Sequence, residues 1–183
     1  KLYGPKGVGA LYIRKGNSIK PLIYGGGQES NKRASTENIA GICGFGLATE
    51  LAYKNLDNNT KHIQNLELHF LNLLDKHSIN YKINGDNRVH GVFNITLPAF
   101  NAQNLVLQLD MEGIGISLGS ACSSGSTKTS SMLNDIGLSK SDILSTVRIS
   151  FGKIHSIDDI EIVVKSIQNI VSPKKKNAIT YEG

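Results

Sequence analysis

Apolar positions along this chain follow two periods. Ile39, Ile42, Gly46 and Ala48 recur at roughly helical spacing, and Thr36, with Glu37 behind it, reads as the N-cap of that helix. Ile63, Leu66, Phe70 and Leu74 line one face of a second helix, which follows a polar break at Asp57-Asn58-Asn59-Thr60. Alternation then takes over. Ile79, Tyr81 and Ile83 predict one strand and Phe93, Ile95 and Leu97 another, each with a single buried face. Asn101 caps a helix that carries Leu105 and Leu109 and ends at Gly113, and Ile114 to Leu118 reads as a short strand. Val147, Ile149 and Phe151 form a further alternating strand between two capping devices, Ser139 with Asp142 and Ser156 with Asp159. The second of these starts a helix with Ile160, Val163, Val164 and Ile167 on its apolar side. Near the start, turn-forming Gly4 to Gly9 feeds Ala10-Leu11-Tyr12-Ile13, a buried-strand pattern, and Gly25-Gly26-Gly27 opens a loop.

The resulting element order from Asn58 onward predicts a small α/β layer structure. The polar break divides the chain into residues 1–57, an edge of a larger domain, and 58–172, a small α/β domain. Pro173 and the lysines that follow read as a flexible tail, 173–183. With 183 residues and 39% hydrophobic content, the chain has material for one ordinary core and a piece of another.

Charge and composition narrow the partners. The net charge is +5, and Lys174, Lys175 and Lys176 supply three of those charges, so the body is only mildly basic. Together with 6% aromatics and no Trp, this argues against a nucleic-acid groove. The longest run without a charged or strongly polar residue, Ile39 to Ala48, holds three glycines and is too short to span a bilayer. A cytoplasmic protein without direct membrane or nucleic-acid contact is the expectation. Cys43 and Cys122 are far apart and form no CxxC pair, which suggests neither a disulfide framework nor a zinc site. His62, His69, His77, His90 and His155 show no metal-ligand pattern.

One cysteine stands out by its surroundings. Cys122 lies in Gly119-Ser120-Ala121-Cys122-Ser123-Ser124-Gly125-Ser126, a hydrophilic segment with few apolar anchors, where a thiolate can form and move. Free cysteines are more commonly buried among apolar residues, the expectation for Cys43 between Ile42 and Gly44. Gly115-Ile116-Ser117-Leu118-Gly119 matches the GxSxG elbow formally, with His155 later in the chain, but a polar loop rather than a helix follows Ser117. Gly7-Val8-Gly9 lacks the third glycine of a dinucleotide fingerprint.

Four motifs in one order carry a family resemblance. They are the segment opening Lys1-Leu2-Tyr3-Gly4-Pro5-Lys6-Gly7, the pair Gly25-Gly26-Gly27-Gln28-Glu29 and Arg33-Ala34-Ser35-Thr36-Glu37-Asn38, the Ser117 to Ser126 loop, and Val147-Arg148-Ile149-Ser150-Phe151-Gly152. Together they resemble the C-terminal portion of NifS/IscS-like cysteine desulfurases, class-V aminotransferase relatives of PLP fold type I. The resemblance implies an end of the large cofactor domain followed by the small C-terminal domain. It implies pyridoxal 5'-phosphate as cofactor and L-cysteine as substrate. A homodimer is implied too, as is a sulfur-acceptor protein, either an iron-sulfur scaffold or a tRNA thiolase. Carried over residue by residue, Lys1 matches the Schiff-base lysine, Thr36 a phosphate contact made across the dimer, Arg148 the binder of the substrate carboxylate, and Cys122 the nucleophile that becomes a persulfide. Asn94, in Asn94-Ile95-Thr96, resembles a family asparagine and is read as local structure.

Two departures accompany it. Ser35 stands at a family glycine and would be strained by a positive φ, and Leu118 replaces a serine. The family's pyridinium-binding Asp and ring-stacking His fall outside the four motifs, so the cofactor site expected from these residues alone is incomplete. A non-catalytic dimerisation or sulfur-carrier module is the alternative reading.

Overall fold

Pairing decides which alternating segments become strands. The computed structural model describes residues 1–98, 100–119 and 131–171, and they separate into two compact units, Lys1–Asp57 and Asn58 onward. The first unit contains a single turn, α1 (Gln28–Asn31), and one long helix, α2 (Ile39–Lys54). The second begins within the first turn of α3 (Leu56–Lys76) and continues through β1 (Lys82–Ile83), β2 (Val92–Thr96), α4 (Ala102–Met111) and β3 (Ser117–Leu118). It goes on through α5 (Ser131–Asp135), α6 (Lys140–Leu144), β4 (Thr146–Ser150) and α7 (Ile157–Val171).

The expected mixed α/β architecture of the second unit is present. Its four strands form one antiparallel sheet of order β1-β2-β4-β3, with Asn94 opposite Arg148 and Arg148 opposite Ser117. Alternation along β2 and β4 turns Phe93, Ile95, Val147 and Ile149 toward the core, while Asn94 and Arg148 stay half-buried on the other face. Against the buried face lie Leu66, Phe70 and Leu74 of α3, Leu105 and Leu109 of α4, and Ile160, Val164 and Ile167 of α7. Phe70, Phe93 and Phe151 meet ring to ring at centroid distances of 5.3–5.8 Å, a tilted cluster at the centre of this core. Truncating Phe70 to Ala would cost about 3–5 kcal/mol.

The caps form largely as their side chains dictate. Asn101 Oδ1 accepts from the Gln103 and Asn104 N–H groups at the start of α4, and Ser139 Oγ from that of Asp142 at α6. Ser156 and Asp159 bond reciprocally at α7: Asp159 N–H donates to Ser156 Oγ, and Ser156 N–H to Asp159 Oδ2.

Four expectations need correction. The N-cap of α2 is Asn38, whose Oδ1 accepts from Gly41 N–H, and Thr36 lies exposed two residues ahead of it. The asparagine is the better cap of the two, and Ile39 is the first helical residue. Residues 57–60 are not a break: α3 runs through them, since a polar stretch can form the solvated start of a helix whose next turns are amphipathic. Ala10–Ile13 forms no strand, because the described residues of the first unit offer it no partner, and Leu11 and Tyr12 are 73% and 86% exposed. Cys43 is exposed rather than packed, on a face of α2 that also leaves Ile39, Leu47 and Leu51 uncovered.

Candidate active site

The first unit shapes a concavity around Lys1. Gly4 and Gly44 let residues 1–5 press onto α2: a Cβ on Gly44 would meet Pro5 Cγ at 2.8 Å, and one on Gly4 would meet Ala48 Cβ at 3.0 Å. This close approach leaves a cavity of about 410 Å³ lined by Lys1, Leu2, Tyr3, Gly4, Pro5, Val8 and Phe45. A primary amine lining such a concavity can condense with an aldehyde-bearing ligand.

Backbone strain gathers between the glycine triplet and α2. Glu29, Ser30 and Asn31 all have positive φ, at 50°, 56° and 63°, so α1 is a left-handed turn, and Ser35 follows at φ 87°. Each such residue costs of order 1–2 kcal/mol relative to an ordinary conformation. The strain foreseen for Ser35 is therefore present, one residue before exposed Thr36.

In the second unit, the solvent-side row of the sheet carries the polar groups. Arg148 on β4 is half-buried, and its Nη2 donates to Ser117 Oγ on β3 at 3.5 Å. Asn94, opposite Arg148 on β2, donates from Nδ2 to Gly119 O at 3.0 Å. β3 thus ends beside a guanidinium, and the chain leaves the described residues immediately after Gly119. Cys122, the predicted nucleophile, lies outside the described residues, as does the remainder of its loop. Lys1 and Thr36 belong to the first unit and Arg148 to the second.

Ser117 has no hydrolase setting. It lies within the paired strand β3 and accepts from Arg148, while His155 Nδ1 is engaged by Gly152 N–H at 2.9 Å. Among the described residues no group of His, Cys, Asp and Glu could hold a metal ion, and no helix is long and apolar enough to cross a membrane.

Sequence reading missed one buried charge. Glu67 on α3, 4% exposed, accepts from Arg88 Nη1, from Gly91 N–H at 2.6 Å and from His90 Nδ1 at 3.1 Å. Burial alone would raise its pKa, but these hydrogen bonds and the Arg88 charge outweigh it and hold the carboxyl below its ordinary range. The Arg88 guanidinium also sits 4.0 Å above the Phe93 ring. Its only trace in the sequence is a glutamate beside Leu66 on the otherwise apolar face of a helix.

The aminotransferase class-V family model matches residues 1–163. Cysteine desulfurase IscS of Dictyoglomus turgidum is 39% identical over 173 residues, which cover 93% of this chain and 44% of that protein. The same-named protein of Clostridium botulinum is 39% identical over 186 residues, covering all of this chain and 47% of its own length. The chain therefore spans less than half the length of these curated relatives. Among solved structures, a NifS-like protein superimposes with a TM-score of 0.81 at 29% identity, over 92% of this chain and 43% of that one. SspA in complex with cysteine superimposes with a TM-score of 0.64 at 32% identity, over 85% of this chain and 42% of its own.

Proposed function

Because the chain belongs to the aminotransferase class-V family, we propose that it is the C-terminal part of a pyridoxal-phosphate-dependent cysteine desulfurase. The observation that carries this reading is the joining of Arg148 to the root of the Cys122 segment: Ser117, two residues before Gly119, accepts from the Arg148 guanidinium. A cation suited to a substrate carboxylate thus contacts the strand that leads, in sequence, to the Cys122 segment. The cysteine bound by the SspA relative and the naming of the IscS relatives support the choice of substrate.

The residues present suit the cofactor that the family implies. Lys1 offers a primary amine on a concavity that Tyr3 and Phe45 also line, and Thr36 offers an exposed hydroxyl next to a strained turn. Lys1 would hold the aldehyde end and Thr36 a phosphate oxygen, the latter in a neighbouring subunit of a homodimer. When bound, the cofactor supplies an electron sink for the carbon that loses sulfur.

The chain's own groups do the rest. Arg148 binds the carboxylate of L-cysteine and so fixes where its sulfur lies. The Cys122 thiolate attacks that sulfur: an S–S bond forms, the C–S bond breaks with its electron pair left on carbon, and carbon takes up a proton to give alanine. Cys122 keeps the sulfur as a persulfide and hands it to an acceptor in iron-sulfur assembly or tRNA thiolation. A reducing cytoplasmic setting suits a thiol used in this way.

In this reading residues 1–57 are the end of the large cofactor domain and 58–172 the small domain. Leu22, Tyr24 and Tyr12 of the first unit, exposed at 96%, 77% and 86%, support it, since they are the kind of surface that a larger domain covers. The test uses the full-length parent. Purified protein should be yellow, and with L-cysteine it should release alanine and sulfide in equal amounts under reductant. Colourless protein that leaves L-cysteine unchanged would refute the proposal.

A further inference from the structure

We propose that Asn94 is a positioning residue that fixes the point where the Cys122 segment leaves the sheet, and that Asn84 sets the orientation of its amide. The inference rests on the proposed role of Cys122 as sulfur acceptor.

Gly119 is held from two sides. Its N–H donates to Thr146 O at 2.9 Å, continuing the β3–β4 ladder, while its carbonyl accepts from Asn94 Nδ2 at 3.0 Å across the neighbouring strand. A third constraint is steric, because a Cβ on Gly119 would stand 2.5 Å from Thr146 Cγ2 and 3.0 Å from Thr146 O. Cys122 follows three residues later, so its Cα lies within about 11 Å of that of Gly119 at full extension. Displacing this root therefore displaces the whole reach of the thiol.

The Asn94 amide has one useful orientation. Its Oδ1 accepts from Asn84 Nδ2 at 2.9 Å, and the backbone Asn84 N–H donates to Asn94 O at the same distance. This leaves the Asn94 NH₂ group to face Gly119. Asn84 Nδ2 also donates to Thr96 Oγ1, which meets Thr146 Oγ1 at 2.8 Å, and Thr146 Oγ1 donates to Asp142 O. The polar chain thus ties the hairpin of β1 and β2 to β4, to Gly119 and to α6.

Stability alone does not account for Asn84. The residue is 8% exposed, yet its Oδ1 has no hydrogen-bond partner among the described residues. An unpaired buried acceptor costs about 1–3 kcal/mol, and an apolar side chain there would avoid that cost. What the amide supplies instead is direction: it presents the Asn94 donor to Gly119, one strand away from Arg148.

Asn94→Ala in the full-length holoenzyme tests this. We expect kcat for L-cysteine desulfuration to fall by about tenfold, the scale of a small misplacement of a reacting group, with KM within twofold and cofactor absorbance unchanged. Hydrogen exchange at the Gly119 amide should also accelerate. Asn84→Ala should lower kcat in the same sense, and the double variant should be no slower than Asn94→Ala alone. Gly119→Ala, which displaces the same root through Thr146, should reproduce the kcat-selective loss and decides the matter if Asn94→Ala does not fold. A kcat within twofold of wild type, a KM rise that matches the kcat loss, or lost cofactor absorbance would overturn the proposal. If the wild-type parent does not desulfurate cysteine, the functional reading fails and exchange at Gly119 decides alone: unchanged protection in Asn94→Ala then rejects the positioning role, and lost protection upholds it.

Discussion

Ser117 and Arg148 are directly opposed on β3 and β4, and the Arg148 guanidinium donates to the Ser117 hydroxyl at 3.5 Å. At that length the contact orients the guanidinium only weakly and, among the described residues, leaves its remaining N–H groups available to a carboxylate. Arg148→Ala in the full-length protein should therefore raise KM for L-cysteine by roughly 10- to 100-fold, the equivalent of a charge-assisted hydrogen bond of about 1.5–3 kcal/mol. Arg148→Lys should recover only part of the loss, because a point charge cannot reproduce the planar fork. Steady-state kinetics check both, and an unchanged KM in Arg148→Ala would remove this residue from the site.

Cys122 and Cys43 should separate cleanly. Cys122→Ser should abolish persulfide formation and sulfide release while leaving cofactor absorbance intact, since the thiol does not hold the pyridoxal. Cys43 is exposed on α2, so Cys43→Ala should preserve turnover, with a modest stability cost if the larger domain covers that face of the helix. Peptide mass spectrometry after incubation with L-cysteine reads the outcome directly. Additional sulfur on the Cys43 peptide and none on that of Cys122 would reverse the assignment.

Ser35 holds φ 87° with a Cβ in place, so glycine should be the better residue there. Relief of about 1–2 kcal/mol of strain, less about 0.5–1 kcal/mol for the added freedom of the unfolded chain, leaves a net gain of about 0.5–1 kcal/mol for Ser35→Gly. The midpoint of chemical denaturation should rise accordingly. A lower midpoint would show that the serine side chain contributes more than its backbone costs.

Glu67 links the second unit to pH. Its folded-state pKa lies below the ordinary 4.5, so its stabilisation is fully present above that value and disappears as pH falls through the lower folded value. Glu67→Gln should cost about 2 kcal/mol at neutral pH, because Arg88 loses its charged partner. The gap between variant and wild type should close in acid, as the wild-type carboxyl itself becomes neutral. Urea midpoints measured across that range test the sign, and a gap that widened in acid would contradict it.

The elements of the second unit were legible because their signals are local. Leu66, Phe70 and Leu74 repeat at helical spacing, Phe93 and Ile95 alternate with Asn94, and Asn101, Ser139 and Ser156 each reach the backbone of the next turn. Such patterns need no distant partner to take effect. Local composition was less reliable where a neighbour had the final word. Ala10–Ile13 has the residues of a strand but no strand beside it, and Cys43 sits among apolar residues on a face that nothing described covers.

Sequence alone determined the candidate chemistry: an amine at Lys1, a hydroxyl at Thr36, a guanidinium at Arg148 and a thiol at Cys122, each set in a recognisable motif. Only the tertiary structure decided which of these groups share a frame and what supports them. The row of Asn94, Arg148 and Ser117 comes from three separate stretches of chain and exists because two antiparallel registers align them. Neither the donation from Asn94 to Gly119 nor the burial of Glu67 under Arg88 is written in any local pattern. A hydrogen bond between residues distant in sequence depends on how strands pair and helices pack, and those relations are fixed by the whole core rather than by the residues that make the bond.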